Sequence, residues 1–114
     1  MKLEFLLVPT TDLAASLAVY RELGFTEVWR EGETTAAITL DGGATQIMLD
    51  ASGPETPVGP ILVVDSVTDF HAARPAALIV LADPAEIPGG FMASYQEPGG
   101  SVVHILDQST EGGE

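Results

Sequence analysis

The 114-residue chain contains no cysteine and only four basic side chains, Lys2, Arg21, Arg30 and Arg74. Without cysteine there is no disulfide, no thiolate metal site and no Cys nucleophile. Four cations cannot form the basic face that displaces counterions from a nucleic acid, nor do they suit an anionic membrane surface. No apolar run approaches the roughly 18 residues of a membrane span. The opening MKLEFLLVP, broken by Glu4 and Pro9, is too short for the hydrophobic region of a signal peptide. The expectation is a cytoplasmic protein with no nucleic-acid or membrane partner.

Signatures of covalent chemistry are missing too. Ser16, Ser52, Ser94 and Ser101 lack a G-x-S-x-G context and a His-Asp partner pattern. The glycine pairs at 42, 89 and 99 belong to neither a dinucleotide fingerprint nor a phosphate loop, and so read as turns.

What the chain does have is acid and apolar surface. Seventeen Asp and Glu give a formal charge of −13, yet charged residues make up only 18 % of the chain, against an average of roughly 25 %. The acidity therefore comes from missing Lys and Arg. With 46 % apolar residues the chain is not a disordered polyanion. At this length a single domain can bury about two-thirds of its unfolded surface. The carboxylate surplus repels anions and attracts cations.

Residues 3 to 8 read as a buried strand ended by Pro9. Thr11-Asp12 then caps a helix to about Leu23, with Leu13, Leu17 and Tyr20 at helical spacing and Gly24 at the C′ position. Strands follow at Phe25 to Arg30 and Thr34 to Leu40, joined across Glu31-Gly32-Glu33. A turn at Asp41-Gly42-Gly43 leads to a strand over Ala44 to Asp50. Three Pro and two Gly in ASGPETPVGP (51 to 60) mark a linker, placed at 53–60. The pattern then restarts. Ile61 to Asp65 is a strand, Ser66-Val-Thr-Asp69 opens a short helix as a capping box, and Arg74-Pro75 ends it. Ala77 to Ala82, Phe91 to Gln96 and Ser101 to Asp107 complete the second set of strands, and the tail 110–114 is expected to fray.

Residues 1–52 and 61–109 thus share a β-α-β-β-β order within one domain. GGATQIMLDAS at 42 to 52 lies against GGSVVHILDQS at 99 to 109, an offset of 57 with five of eleven positions identical and no gap. Such a repeat is a duplicated module, each copy too small to bury a core alone.

Two segments carry a family likeness: Thr11-Asp-Leu-Ala-Ala-Ser-Leu-Ala-Val-Tyr-Arg-Glu-Leu-Gly-Phe25 and Glu97-Pro-Gly-Gly-Ser-Val-Val-His-Ile-Leu106. The first resembles the "D-L-x-x-S-x-x-F-Y-x-x-L-G-F" segment of the vicinal oxygen chelate superfamily, which includes glyoxalase I, extradiol dioxygenases and bleomycin-resistance proteins. The second resembles its "D-P-x-G-N-x-x-E-L" turn and final strand. The resemblance implies an α+β fold of two tandem βαβββ modules forming a curled, cup-like mixed sheet. Helices would cover its convex face, and a ligand would sit in the concave groove.

Metal-using members hold a divalent ion with His, Glu or Gln from the first and last strands of each half. Carried onto this chain, those positions are Phe5, Gly59, Ile47 and His104, of which only His104 can ligate. A one-residue slip would bring in Gln46 or Glu4, on the opposite face. The resemblance therefore implies no metal and no cofactor. It is nearest to the bleomycin-resistance-type members, metal-free acidic homodimers that sequester a cationic aromatic compound in grooves at the subunit interface. Unlike their Trp-rich strand, Ile61-Leu-Val-Val64 has no aromatic, so bleomycin itself is not indicated.

The candidate ligand-binding residues are Phe5, Trp29, Ile47, Phe91, Tyr95 and His104, with no catalytic residue assigned. All but Ile47 are weighed against a bland alternative. Trp29 is a stacking wall or an interface aromatic. Phe5 touches a ligand or merely fills the groove. Phe91, Ala93 and Tyr95 share one face of their strand, but period alone does not say which face that is. His104 is a groove residue or a satisfied core histidine. His71 and Tyr20 read as packing residues, and Glu97-Pro-Gly-Gly reads as a turn. Glu27, Glu31 and Glu33 near Trp29 form either a mouth for a cationic guest or a solvated hairpin tip. The expected function is metal-independent binding of a small cationic or aromatic molecule by a homodimer. The alternatives are a metal-dependent glyoxalase-type lyase, isomerase or dioxygenase with an atypical ligand set, and a dimer with an interaction role.

Overall fold

The computed structural model describes residues 1–40, 43–53 and 56–109. The expected turn residues Asp41-Gly42, the linker residues Pro54-Glu55 and the tail 110–114 lie outside them. The chain divides into two compact units: Glu4–Val58, and the residues from Gly59 onward together with Met1–Leu3.

The first module runs β1 (Lys2–Pro9), α1 (Leu13–Glu22), β2 (Phe25–Glu31), β3 (Thr35–Leu40) and β4 (Gln46–Asp50). Its strands lie in the order β2-β3-β4-β1, with β1 parallel to β4 and the other neighbours antiparallel. The second module repeats the plan with β5 (Gly59–Val63), α2 (Val67–Ala73), β6 (Ile79–Ile87), β7 (Gly90–Gln96) and β8 (Val102–Leu106). Here the order is β5-β8-β7-β6, with β5 parallel to β8. The fold is α+β, two tandem βαβββ modules. Among the described residues no helix is long and apolar enough to cross a membrane.

Each helix starts and stops for local reasons. Asp12 is extended, and its Oδ1 accepts from the Ala15 amide at 3.1 Å, satisfying one of the helix's orphan donors. At the other end Gly24 takes φ +108° while its amide bonds back to the Arg21 carbonyl at 3.0 Å. Leu13 and Leu17 bury the inner face of α1 against Ala36, Ile38 and Leu49, with Val8, Tyr20, Phe25 and Ile47 packed around them. Ser66 caps α2 by accepting from the Asp69 amide at 3.2 Å. Arg74, extended before Pro75, ends that helix after seven residues. Val67 of α2 packs with Ala93, Tyr95 and Ile105 in a second core.

Strand β6 runs five residues past its expected end, through Asp83-Pro84. The register shifts between Ala82 and Ala85, so the proline sits in a bulge on an outer strand, where its missing N–H leaves no ladder bond unmade. Outer strand β2 is bulged as well, between Glu27 and Trp29. Bulged outer strands resist pairing with a second chain.

Two of the five identities that betray the repeat, the Asp and the Ser, close the last strands. Asp50 Oδ1 accepts from the Ser52 amide (2.9 Å) and hydroxyl (2.6 Å), and Asp107 Oδ1 from the Ser109 amide (3.2 Å) and hydroxyl (2.8 Å). Asp107 goes further. Its Oδ1 also accepts from the Phe91 amide at 3.0 Å, and its Oδ2 from the Val67 amide at 2.7 Å, so one buried carboxylate fastens β8 to β7 and to the start of α2. A Cβ on Gly90 would run into the Asp107 carbonyl oxygen, so only glycine fits there.

Candidate functional site

Strand pairing, combined with the position of each helix, decides which side chains share a face. In the Glu4–Val58 unit, Ile47 and Leu49 pack with the α1 core. Alternation then turns Gln46 and Met48 to the other side of the sheet. Directly paired residues share a side. Phe5 lies beside Gln46, and one cross-strand row reads Leu7, Met48, Ala37, Trp29. Phe5, Leu7 and Ala37 are buried, whereas Trp29, Gln46 and Met48 keep partial exposure. The face opposite α1 therefore holds two aromatic rings, a thioether and one amide. That amide is unsatisfied: Gln46 Oε1 is withdrawn from solvent without a hydrogen-bond partner among the described residues.

In the second unit Ile105, Ala93 and Tyr95 pack beneath α2, with Phe91 and Val103 against them. The opposite side carries Ile61 and Ser94, the two pairing partners of His104, together with His104 itself. All three are buried. Ser94 Oγ lies 2.7 Å from His104 Nδ1 and fixes the imidazole in place. Sequence context shows no histidine partner for Ser94, because the pairing exists only through the β7–β8 register. Gly59 lies along the same side, and a Cβ there would stand 2.5 Å from the Val102 carbonyl oxygen and 3.4 Å from the His104 ring. No side chain fits at this position.

Three of the six candidate residues, Phe5, Trp29 and His104, therefore sit on the sides of their sheets away from the helices. The other three do not. Ile47 faces α1 and Met48 is turned to the other side, because the L-D identities of the repeat align residues that face opposite ways. Phe91 and Tyr95 belong to the α2 core. The Tyr95 hydroxyl lies 2.8 Å from His71 Nδ1, and its ring packs against Phe70 with centroids 5.6 Å apart. Burial pushes the Tyr95 hydroxyl's pKa up, and Asp83 adds to this against the opposing pull of Arg74. Sequence reasoning did not single out Met48, set Gln46 on the face opposite Phe5, where the register instead pairs the two, and weighed Ser94 only as a nucleophile, because alternation gives a period but not its phase.

The acidic hairpin also resolves. Glu27 takes a forked bond from Arg30 (2.9 and 3.0 Å) and a third from Arg21 at 3.1 Å, contacts that hold its carboxyl below the usual glutamate range, Arg30 foremost. Two of the chain's four cations are spent there, so Glu27 contributes little anionic field beside Trp29. Glu97 is likewise committed, because its carboxylate accepts from the amides of Gly99 (2.6 Å) and Ser101 (3.1 Å) and closes its own turn.

Residues 2–105 match the model of the Glyoxalase/Bleomycin resistance protein/Dioxygenase superfamily. The chain belongs to this superfamily. No curated protein matches it. Solved structures resemble it in fold. A Legionella pneumophila protein named NAD-dependent benzaldehyde dehydrogenase gives a TM-score of 0.74 at 17 % identity, covering 91 % of this chain and 97 % of that one. A Staphylococcus aureus protein gives 0.69 at 11 %, covering 95 % and 99 %. A superfamily member from Vibrio splendidus 12B01 gives 0.58 at 14 %, covering 90 % and 96 %.

The residues at the superfamily's metal positions do not fit a divalent ion. The first module offers Phe5 and Met48. The second offers Gly59, where no side chain fits, and His104, tied to Ser94. One imidazole and a soft thioether are not the oxygen and nitrogen set such an ion needs. Among the described residues, no three His, Asp or Glu gather into a metal-holding group.

Proposed function

We propose that the chain is a metal-independent small-molecule binding protein of its superfamily, a homodimer that sequesters a cationic or aromatic compound. The observation that carries this reading is the replacement of metal donors by Phe5 and Met48 on a face shared with Trp29. Rings and a polarizable thioether are what an aromatic guest packs against. A net charge of −13 favours a cation over an anion in solution around that face. Bleomycin-resistance proteins, named in the superfamily's own description, give the reading its precedent.

Metal analysis of protein purified without chelator, followed by assay with methylglyoxal hemithioacetal, tests the proposal. Substoichiometric Ni, Zn, Fe and Mn and no turnover are expected. A stoichiometric metal that supports turnover would overturn it in favour of a glyoxalase-type lyase. Light scattering should give twice the 11.9 kDa chain mass, and a monomeric mass would remove the dimer.

A further inference from the structure

Gln46 stands out on the face opposite α1. Native structures leave few buried polar atoms without a partner, because an unmet buried acceptor carries its full desolvation cost. Gln46 Oε1 is such an atom. It does not occupy the metal position, which falls at Met48. Its neighbour across the β1–β4 pairing is Phe5, and Met48 and Trp29 lie on the same side of the sheet. An apolar residue would fill the place at no such cost, so packing does not explain the amide.

We infer that Gln46 is the specificity-determining acceptor for an aromatic ligand bearing an O–H or N–H donor on its ring. The inference rests on the small-molecule reading above and narrows it. A carbonyl oxygen accepts but cannot donate, so it selects for a donor. The rings of Phe5 and Trp29 and the Met48 thioether supply the apolar contact. A ligand without the donor leaves the carbonyl unpaired and binds less tightly.

Two probes differing by one methyl group test this, 3-methoxyphenol and 1,3-dimethoxybenzene. The chain's single tryptophan gives one indole N–H signal to follow by NMR titration. The phenol should bind the wild-type protein about tenfold tighter, the worth of one hydrogen bond. In Gln46→Leu the two affinities should converge while the thermal midpoint holds or rises, since a stranded carbonyl has been removed. Equal binding by the wild-type protein, a preference for the ether, a phenol preference that survives in Gln46→Leu, or a lower midpoint in that variant would each overturn the inference and leave the small-molecule reading standing. If neither probe moves the Trp29 signal, both fall.

Discussion

Asp107 shows how much one side chain can organise. Burial by itself would raise its pKa, but the donors converging on it from Val67, Ser109 and Phe91 more than reverse that and hold it below the usual aspartate value. A carboxyl whose folded pKa is lowered stabilises the protein above its unfolded value of about 3.9. That stabilisation drains away as the pH falls through the folded value. Asp107→Asn keeps the shape but removes the charge and one acceptor. It should cost about 2 kcal/mol at pH 7, in the range for hydrogen bonds to a buried charged group. Urea unfolding from pH 7 down to pH 3 checks both parts: the gap between wild type and variant should be widest at neutral pH and begin to narrow below about pH 4. A gap independent of pH would mean that shape, not charge, carries the effect. Asp50, its counterpart in the repeat, remains half-buried, and among the described residues its side chain bonds Ser52 and Thr35. The same residue type in the same local motif is thus a surface closure in one module and an anchor in the other.

At the scale of elements, α2 is the part that needs anchoring, since seven residues are too few to hold a helix by themselves. Its supports are the Ser66 cap, the Asp107 bond to Val67, the burial of Val67, and the contact between His71 and Tyr95. Tyr95→Phe keeps the ring packing and removes only the hydroxyl. It should cost about 1 kcal/mol, and amide exchange across Val67–Ala73 should quicken about fivefold while Leu13–Glu22 is unchanged. Equal acceleration in both helices would mean a global loss of stability rather than a loosened α2. Elements of this kind were legible in the sequence wherever the cause was local: the caps at Asp12 and Ser66, the stop at Pro75 and the glycine after α1 all lie within a few residues of what they control. The far end of β6 was not, because Pro84 reads as a terminator unless the strand is known to lie on the outside. Nor were the facing directions. Nothing within β7 says whether Tyr95 or Ser94 points to α2; the packing of α2 onto that sheet decides it. The pairings His71–Tyr95 and Ser94–His104 depend on that same long-range choice, and in the first module the packing of α1 likewise turns Ile47 towards the helix and Met48 away from it.

For the whole molecule, the question is whether a charge of −13 does more than keep the chain in solution. Of the four cations, Arg21 and Arg30 are drawn to Glu27, so the remaining carboxylates act as a field spread over the surface. Such a field reaches about 10 Å in 0.1 M salt and contracts as salt rises. Apolar contact with Phe5, Trp29 and Met48 has no comparable salt dependence. A cationic aromatic probe such as proflavine should therefore associate at least about tenfold more slowly when salt is raised from a few millimolar to several hundred, as steered association does. Its dissociation rate should change little if the proposed contacts on the sheet are the apolar ones. Neutral acridine, studied above its pKa, should associate at the same rate across the series. Stopped-flow fluorescence measures both. If the proflavine on-rate is flat as well, the acidity does not guide association, and the selection proposed above would rest on the aromatic face and the Gln46 carbonyl alone.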